Sequence, residues 1–212
     1  MALFIKLIEW GGDLVALYLF SATVIITLLF IVIIPIFIMP LFNKYEDLKD
    51  GPLKTKIEDL AKSLKFPLTK IYVCDASKRS SHSNAFFYGF CGNKRIVLFD
   101  TLIEQHTDEE IVAVVAHELG HWYHNHTLLG MIISFANMGL IFFLFSLVIN
   151  RMEILTSFGF TKPSYFISLL LFFMIYTPVS FITSLLMNLY SRGIEFQADK
   201  FSKEIYKGEE ND

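Results

Sequence analysis

Residues 117–121 read His117-Glu118-Leu119-Gly120-His121, which is the pattern H-E-x-x-H. Residues four apart on an α-helix project from the same face, so His117 and His121 can direct two imidazole nitrogens at one point. Glu118 lies one position round the helix and close to that point. Two histidines at this spacing with a glutamate between them indicate a zinc hydrolase site, with Glu118 as the general base.

The sequence before the motif predicts the helix that the motif requires. Thr107-Asp108-Glu109-Glu110 is a capping box, in which a threonine hydroxyl and a glutamate carboxylate satisfy the first free amides of a helix. Apolar residues follow at helical spacing: Ile111, Val114, Val115 and Leu119. We therefore expect a helix that begins ten residues before His117, with the H-E-x-x-H pattern well inside it.

Three long stretches without charge predict three membrane-spanning helices. They are Leu14–Phe42 with 29 residues, Leu128–Asn150 with 23 and Pro163–Ser191 with 29. A bilayer core about 30 Å thick requires about 20 apolar helical residues, so each stretch is long enough to span it. The alternative for such a stretch is a buried core helix, which is usually shorter. A signal peptide is disfavoured for the first stretch, which is too long and is followed by no Ala-x-Ala site.

The composition agrees with a membrane protein, because 54% of the 212 residues are hydrophobic and 22 are phenylalanine. The mean hydropathy of +0.50 exceeds what a soluble domain of this size needs. A net charge of −3 gives no indication of a nucleic-acid partner. Cys74 and Cys91 fit no zinc-ligand spacing, and free thiols in a reducing compartment are the simpler interpretation.

Residues 43–127 form the one large polar block. Apolar residues at helical spacing predict a helix over Lys56–Lys65: Ile57, Leu60, Ala61 and Leu64. Three short runs predict strands: Lys70–Cys74, Ala85–Phe90 and Arg95–Phe99. Turn residues bound them at Asn84 and at Cys91-Gly92-Asn93, so we expect the last two strands to pair as a hairpin.

A zinc site needs a third protein ligand, and the predicted topology indicates where to find it. The second span leaves the side of the membrane that holds His117, and the third span returns to it. Glu195 is the first acidic residue after that return, and we predict that it is the third ligand. Asp199 shares its helical face and is placed to accept the second ring N–H of a ligating histidine.

Two alternatives to this ligand set remain open. Glu195 and Asp199 could lie on a solvated helix face and pair with Arg192 and Lys203. His124, three residues after His121, could be a fourth ligand and close the site into a structural one, whereas an open fourth position fits catalysis better. Other histidines, including His126, are interpreted as hydrogen-bonding residues at helix ends or in loops.

Lysines after the first span predict the orientation of the chain in the membrane. Five of them lie within about 20 residues of the span, the zone that the positive-inside rule counts: Lys44, Lys49, Lys54, Lys56 and Lys62. Lys6 alone precedes it. We therefore expect residues 43–127 and the C-terminal tail in the cytosol.

Four segments together closely resemble the integral-membrane CAAX prenyl protease family, the zinc enzymes that process a-factor pheromone and prelamin A. The segments are Ser80–Phe90, Lys94–Leu102, His117–His121 and Arg192–Asp199. The likeness runs from about Ile38 to about Ser202. Family members have more spans upstream and a further C-terminal helical segment, so we expect this chain to be a partial-length member.

The resemblance implies a multi-span α-helical membrane protein with an inserted α/β zinc-metalloprotease domain of the gluzincin type. His117, His121 and Glu195 would hold one Zn²⁺ per chain, with Glu118 as the base and Asp199 supporting a ligand. Asn84, Ala85 and Phe86 would form the strand edge that pairs with an extended substrate. This role agrees with β-strand addition as a mode of peptide recognition.

The implied activity is removal of the three residues after a prenylated cysteine. The partners would be the C-termini of isoprenylated CAAX proteins and membrane lipid, without nucleic acid, at the endoplasmic reticulum or the inner nuclear membrane. Two other hypotheses remain: a membrane quality-control zinc protease with broader substrates, and a catalytically silent membrane scaffold.

The expected organisation of the chain has four parts. Residues 1–42 hold the N-terminal segment and the first span, and residues 43–127 hold the protease domain with a short sheet and the H-E-x-x-H helix. Residues 128–164 contain the second span and a short loop. Residues 165–212 contain the third span and the helix that carries Glu195.

Overall fold

The computed structural model describes residues 6, 10–79, 81–89, 92–149, 151–162 and 164–209. It divides into two compact units. The helical unit comprises Met1–Phe30 and Leu128–Tyr190, and the sheet unit comprises Ile31–Thr127 and Ser191–Asp212. Five positions used in the sequence predictions lie outside the described residues: Ser80, Phe90, Cys91, Asn150 and Pro163.

The helices, in chain order, are α1 (Val15–Phe42), α2 (Pro52–Ser63), α3 (Asp100–Gln105), α4 (Asp108–Tyr123), α5 (His126–Val148), α6 (Met152–Ser157) and α7 (Tyr165–Glu209). The strands are β1 (Tyr45–Asp47), β2 (Leu68–Cys74), β3 (Ala85–Tyr88) and β4 (Lys94–Phe99). Single 3₁₀ turns lie at Gly12–Leu14 and Ala76–Lys78.

Within the described ranges, three helices are long and apolar enough to cross a membrane: α1, α5 and the part of α7 over Tyr165–Ile205. They correspond to the three predicted spans. Prolines are accommodated inside two of them, as expected when other groups satisfy the freed carbonyls. α1 passes Pro35 through a π-helical turn at Ile34–Ile38, in which the Met39 N–H donates to the Ile34 carbonyl, and α7 continues through Pro178.

Apolar packing holds the helical unit together and leaves a large apolar surface exposed. Its buried cluster joins residues of α1, α5, α6 and α7 with Ile149, which directly follows α5: Val15, Ala16, Phe145, Val148, Ile149, Leu155, Leu171 and Phe172. The Phe145 and Phe172 rings meet edge to face with centroids 5.3 Å apart. The outward side chains of the spans are mostly Leu, Ile and Phe, a surface suited to hydrocarbon and not to water.

The described strands form one four-stranded sheet in the order β1-β2-β4-β3. β3 and β4 pair antiparallel from Ala85 opposite Leu98 to Tyr88 opposite Arg95, which confirms the predicted hairpin. β2 runs parallel to β4, and β1 adds antiparallel to β2. The sequence did not predict β1, because Tyr-Glu-Asp is too short and too polar to show a strand pattern.

Helices α2 and α4 bury their apolar faces in the core of the sheet unit. The buried residues of α2 are Leu53, Ile57, Leu60 and Ala61, which confirms the predicted stripe apart from Leu64, which is only partly buried. α4 contributes Ile111, Val112, Val115, Ala116 and Leu119. α4 is therefore held against the sheet by the face opposite to the one that carries His117 and His121.

Hydrogen bonds from polar side chains hold the chain in place where it leaves α1. The Asp75 carboxylate accepts hydrogen bonds from the Lys44 backbone N–H at 2.7 Å and from Lys78 Nζ at 2.8 Å. Arg79 donates to the Phe42 carbonyl and to Asn43 Oδ1. The hydrogen bond from Lys78, together with the one from Lys44, lowers the pKa of Asp75 to about 2. The end of the first span is thus tied directly to the segment that follows β2.

We expect Gly89→Ala to destabilise the sheet unit. Gly89 follows β3 with φ at +120°, and an added Cβ would overlap the Asn93 carbonyl oxygen. Backbone strain of this kind costs about 1–3 kcal/mol, so the thermal unfolding midpoint of the purified protein in detergent should fall. Gly51→Ala is the matched control, because Gly51 is extended and faces open space. Equal midpoints for the two variants would contradict this account.

Candidate metal centre

The helix that carries the H-E-x-x-H pattern begins where the sequence predicts. The Thr107 hydroxyl accepts from the Glu110 N–H at 3.4 Å, and the Glu110 carboxylate accepts from the Thr107 N–H at 2.8 Å, which completes the capping box. α4 then runs without interruption to Tyr123. The motif therefore has the helical geometry that brings both histidines to one face.

The structure brings His117, His121 and Glu195 together. The two Nε2 atoms of the histidines are 3.1 Å apart. The Glu195 Oε2 atom lies 3.4 Å from His117 Nε2 and 3.6 Å from His121 Nε2. These are the three predicted ligands, and among the described residues they are the group of histidine, cysteine and acidic side chains with the spacing of a metal site.

This triangle of atoms has the dimensions of one face of a zinc tetrahedron. With bonds of about 2.0–2.1 Å and tetrahedral angles, ligand atoms around zinc are separated by about 3.3 Å. The three observed separations bracket that value. Three lone-pair donors at these distances repel one another unless a cation or a proton lies between them, so the donor set fits Zn²⁺. The Glu195 side chain is 54% exposed, which leaves the centre accessible from one side.

Asp199 lies where the sequence predicts a supporting carboxylate. Its Oδ1 atom is 2.8 Å from His117 Nδ1. A carboxylate in this position accepts the Nδ1 proton and leaves the Nε2 lone pair directed at the other ligand atoms. Glu195 and Asp199 do not pair as the solvated-face alternative requires, because both face His117. The Arg192 guanidinium lies over the Phe196 ring.

Close packing between α4 and α7 makes this convergence possible. A Cβ built on Gly120 would lie 3.3 Å from the Ala198 Cα and 3.0 Å from a ring carbon of Phe201. Ala198 is fully buried at the contact. One turn further along, the Ser202 hydroxyl donates to the Ala113 carbonyl at 3.0 Å. The sequence analysis did not identify Gly120 and Ala198, although a glycine inside a helical metal motif was the available signal.

Glu118 and His121 have shifted proton affinities, both caused mainly by burial. Burial raises the pKa of Glu118 above its ordinary value, and the negative charge of Glu195 acts in the same direction. A carboxylate with a raised pKa is a better proton acceptor. Burial lowers the pKa of His121, which favours the neutral imidazole that can bind a metal.

Two of the predicted substrate residues, Ala85 and Phe86, lie next to Glu118. A small recess is lined by Ala85, Phe86 and Phe87 of β3 together with Glu118 and Leu119 of α4. Asn84 precedes β3, and its side-chain Oδ1 accepts from the Ala85 N–H at 2.9 Å. The edge of the sheet that β3 forms is therefore close to the carboxylate that the sequence predicts as the base.

His124 does not join the ligand triangle. Its Nδ1 atom faces the Gln197 amide nitrogen at 3.2 Å. His126 lies nearer to the site than the sequence predicts, because its Nδ1 atom is 3.1 Å from His121 Nδ1 and the residue is buried. It is the first residue of α5 and thus a hydrogen-bonding residue at a helix end, but its contact with a predicted ligand had no signal in the sequence.

Comparison with known proteins identifies the family of this site. The profile of peptidase family M48 matches residues 47–212, which include every residue of the metal centre. This chain belongs to peptidase family M48. Residues 1–44 match a second profile, described as the CAAX prenyl protease N-terminal segment with five membrane helices. The M48 metallopeptidases use a metal cofactor, which agrees with the cluster of two histidines and a glutamate.

Named members of the family are similar over nearly the whole chain. A CAAX prenyl protease 1 homolog of Arabidopsis thaliana is 47% identical over 97% of this chain and 49% of its own length. The Homo sapiens homolog is 39% identical over 99% of this chain and 52% of its own length. This chain thus spans about half the length of the curated relatives it matches.

A solved structure supports the fold. The crystal structure of S. mikatae Ste24p matches with a TM-score of 0.81 and 41% identity, over 96% of this chain and 51% of that one. The M48 chain described here is therefore a multi-pass helical membrane protein with a protease domain, as the sequence predicts. The resemblance to the CAAX prenyl proteases is confirmed by these matches.

We expect Gly120→Val to weaken zinc binding without removing a ligand. The added methyl groups would push Ala198 and Phe201 away and move Glu195 from the two histidines. Metal sites tolerate deviations of only about 0.2 Å, so the affinity for Zn²⁺ in a chelator competition should fall by about tenfold or more. Gly130→Val is the control, because Gly130 faces open space on α5. An unchanged affinity in Gly120→Val would show that this contact does not set the ligand positions.

Proposed function

We propose that this chain carries the catalytic site of a zinc endopeptidase that removes the C-terminal aaX tripeptide from isoprenylated CAAX proteins. The observation that carries the proposal is the convergence of His117, His121 and Glu195 beside Glu118. It is supported by the names of relatives that are 39–47% identical, which describe CAAX prenyl proteases. The apolar spans suit a substrate with an isoprenyl chain.

Three side chains would hold the metal and a fourth would position one of them. His117 and His121 would bind through Nε2 and Glu195 through Oε2, the atoms that form the triangle. Asp199 would keep the His117 proton on Nδ1. A zinc ion bound there would supply Lewis-acid polarisation of the scissile carbonyl and would lower the pKa of an attacking water.

Glu118 would move the proton during hydrolysis. Its carboxylate takes a proton from the attacking water and then returns it to the nitrogen of the leaving peptide. The raised pKa caused by burial favours the first of these steps, because the carboxylate accepts a proton more readily. Glu118 does this without ligating the metal, since it lies one position round the helix from His117.

The outer edge of β3 would bind the substrate as an added strand. The Phe99 N–H donates to the Asn84 carbonyl, so the alternation of an antiparallel ladder turns the backbone groups of Ala85 and Phe87 to the other edge. The Ala85 N–H is consistent with this orientation of the backbone, because it donates to the Asn84 side chain and not to β4. An extended peptide pairing there would displace the Asn84 amide and pass next to Glu118.

Location and organisation follow the sequence predictions. We place the protein in the endoplasmic reticulum membrane with residues 43–127 on the cytosolic side, supported by the lysines that follow the first span. Protection of these residues from protease added to sealed microsomes would contradict a cytosolic location.

The proposed partners are prenylated CAAX proteins and lipid. The proposed division of the chain into four parts is 1–42, 43–127, 128–164 and 165–212.

Hydrolysis of a farnesylated CAAX peptide by the purified chain tests this function. We expect release of the tripeptide, seen by mass spectrometry and abolished by a chelator.

Glu118→Gln should keep zinc and lose about 10²–10⁴-fold in turnover, because only the base is removed. Glu195→Ala should lose zinc, whereas Glu204→Ala on the same helix, which pairs with Lys200, should not. Cleavage of unprenylated unfolded segments alone would favour a quality-control protease, and absence of zinc would favour a silent scaffold.

Photo-crosslinking tests the substrate strand. A photoreactive phenylalanine analogue in place of Phe86 on β3 should capture a farnesylated CAAX peptide when the Glu118→Gln substitution prevents its cleavage. The same analogue at Tyr45 is the matched control, because β1 forms the opposite edge of the same sheet. Equal capture at the two edges, or capture at Tyr45 alone, would rule out β3 as the binding edge.

A further inference from the structure

Three hydrogen-bonded polar side chains lie in series behind the ligand His121, and the proposed function does not use them. His126 is only 4% exposed, and both of its ring nitrogens have partners. Its Nδ1 atom lies 3.1 Å from His121 Nδ1, and its Nε2 atom lies 3.0 Å from Gln197 Oε1. The Gln197 amide nitrogen in turn lies 3.2 Å from His124 Nδ1.

Only one arrangement of protons satisfies all of these contacts when His121 offers its Nε2 lone pair to a metal. His121 then carries its proton on Nδ1 and donates it to His126 Nδ1, which must be unprotonated. His126 therefore carries its proton on Nε2 and donates it to the Gln197 oxygen. The Gln197 amide donates to the unprotonated Nδ1 of His124. All three hydrogen bonds are therefore donated in the same direction, from His121 towards His124.

The backbone between α4 and α5 places His126 in this position. Asn125 adopts a left-handed conformation with φ at +55°, a common way for a helix to end with asparagine. The turn brings a residue only five positions after His121 back against the same imidazole. Gln197 comes from α7 and lies two residues after Glu195. The helix that supplies the third ligand therefore also holds the far end of this series of hydrogen-bonded side chains.

We propose that His126 is a positioning residue for the metal ligand His121, and that Gln197 and His124 hold it in the tautomer whose Nδ1 accepts a hydrogen bond from His121. This inference rests on the proposed zinc site. The two ligand imidazoles are then oriented in different ways, His117 by the carboxylate of Asp199 and His121 by a buried neutral ring. Partners of this kind fix the rotation and the tautomer of a ligating histidine.

Three substitutions at His126 separate positioning from simple packing. His126→Asn places an amide oxygen near the Nδ1 position and can still accept from His121. His126→Gln places its amide near the Nε2 position, so it can reach Gln197 but leaves His121 without an acceptor. His126→Leu fills the space and offers neither contact. His106→Leu is the control, because this exposed residue lies two positions before α4 and pairs with Glu110.

The measurements are the affinity of the purified full chain for Zn²⁺, from chelator competition, and the visible spectrum of its Co²⁺ complex. His126→Leu and His126→Gln should bind Zn²⁺ about 10–100-fold more weakly, with an altered Co²⁺ spectrum. His126→Asn should retain most of the affinity and the wild-type spectrum. His106→Leu should match the wild type in both measurements.

Thermal unfolding of the metal-free proteins completes the test. The proposal is overturned if all three His126 variants lose affinity in proportion to their loss of stability, because the role is then packing alone. It is also overturned if all three bind Zn²⁺ as the wild type does, an outcome that leaves the proposed function intact. If the wild-type chain itself binds neither Zn²⁺ nor Co²⁺, the proposed function fails and this inference fails with it.

Discussion

The contact between α4 and α7 at Gly120 and Ala198 sets the positions of all the side chains that matter for the metal centre. α4 carries two imidazoles and the carboxylate of Glu118, and α7 carries the carboxylate of Glu195. Short side chains at the crossing let the two backbones approach closely enough for the ligand atoms to lie 3.1–3.6 Å apart. A larger residue at either position would separate the two helices and open the triangle.

The two helices are held to each other by different kinds of interaction, which reinforce one another. Apolar packing provides the close approach, and the hydrogen bond from Ser202 to the Ala113 carbonyl fixes the axial position. The contacts of Asp199 with His117 and of Gln197 with His126 then fix the rotation of α7 about its axis. Glu195, Gln197 and Asp199 make separate contacts with the histidines, so a small rotation of α7 would weaken several of these contacts together.

The two glutamates of the site lie in different surroundings. Glu195 is half exposed and faces both histidines, an arrangement suited to a ligand. Glu118 lies against Leu119 and β3, where burial raises its pKa and no histidine nitrogen competes for its lone pairs among the contacts described. The same type of side chain thus lies in two different environments within one site, and burial is the physical difference between them.

Much of the fold could be predicted because its signals are local. The capping box, the helical spacing of His117 and His121 and the uncharged spans depend on neighbouring residues alone, and the structure agrees with each. The pairing of β2 with β4, the short strand β1 and the contact of His126 with His121 had no such signal, because they join segments through space or through one left-handed residue.

The order of the residues was enough to predict a helical metal motif between membrane spans, since helix periodicity and hydrophobic length can be read along one segment. It also indicated Glu195 and Asp199, through topology and helical spacing. The folded chain was needed to show that these carboxylates face His117 and His121, and that His126, Gln197 and His124 extend the cluster behind His121. The distances between ligand atoms depend on how closely two helices pack, and that packing is a property of the whole folded unit.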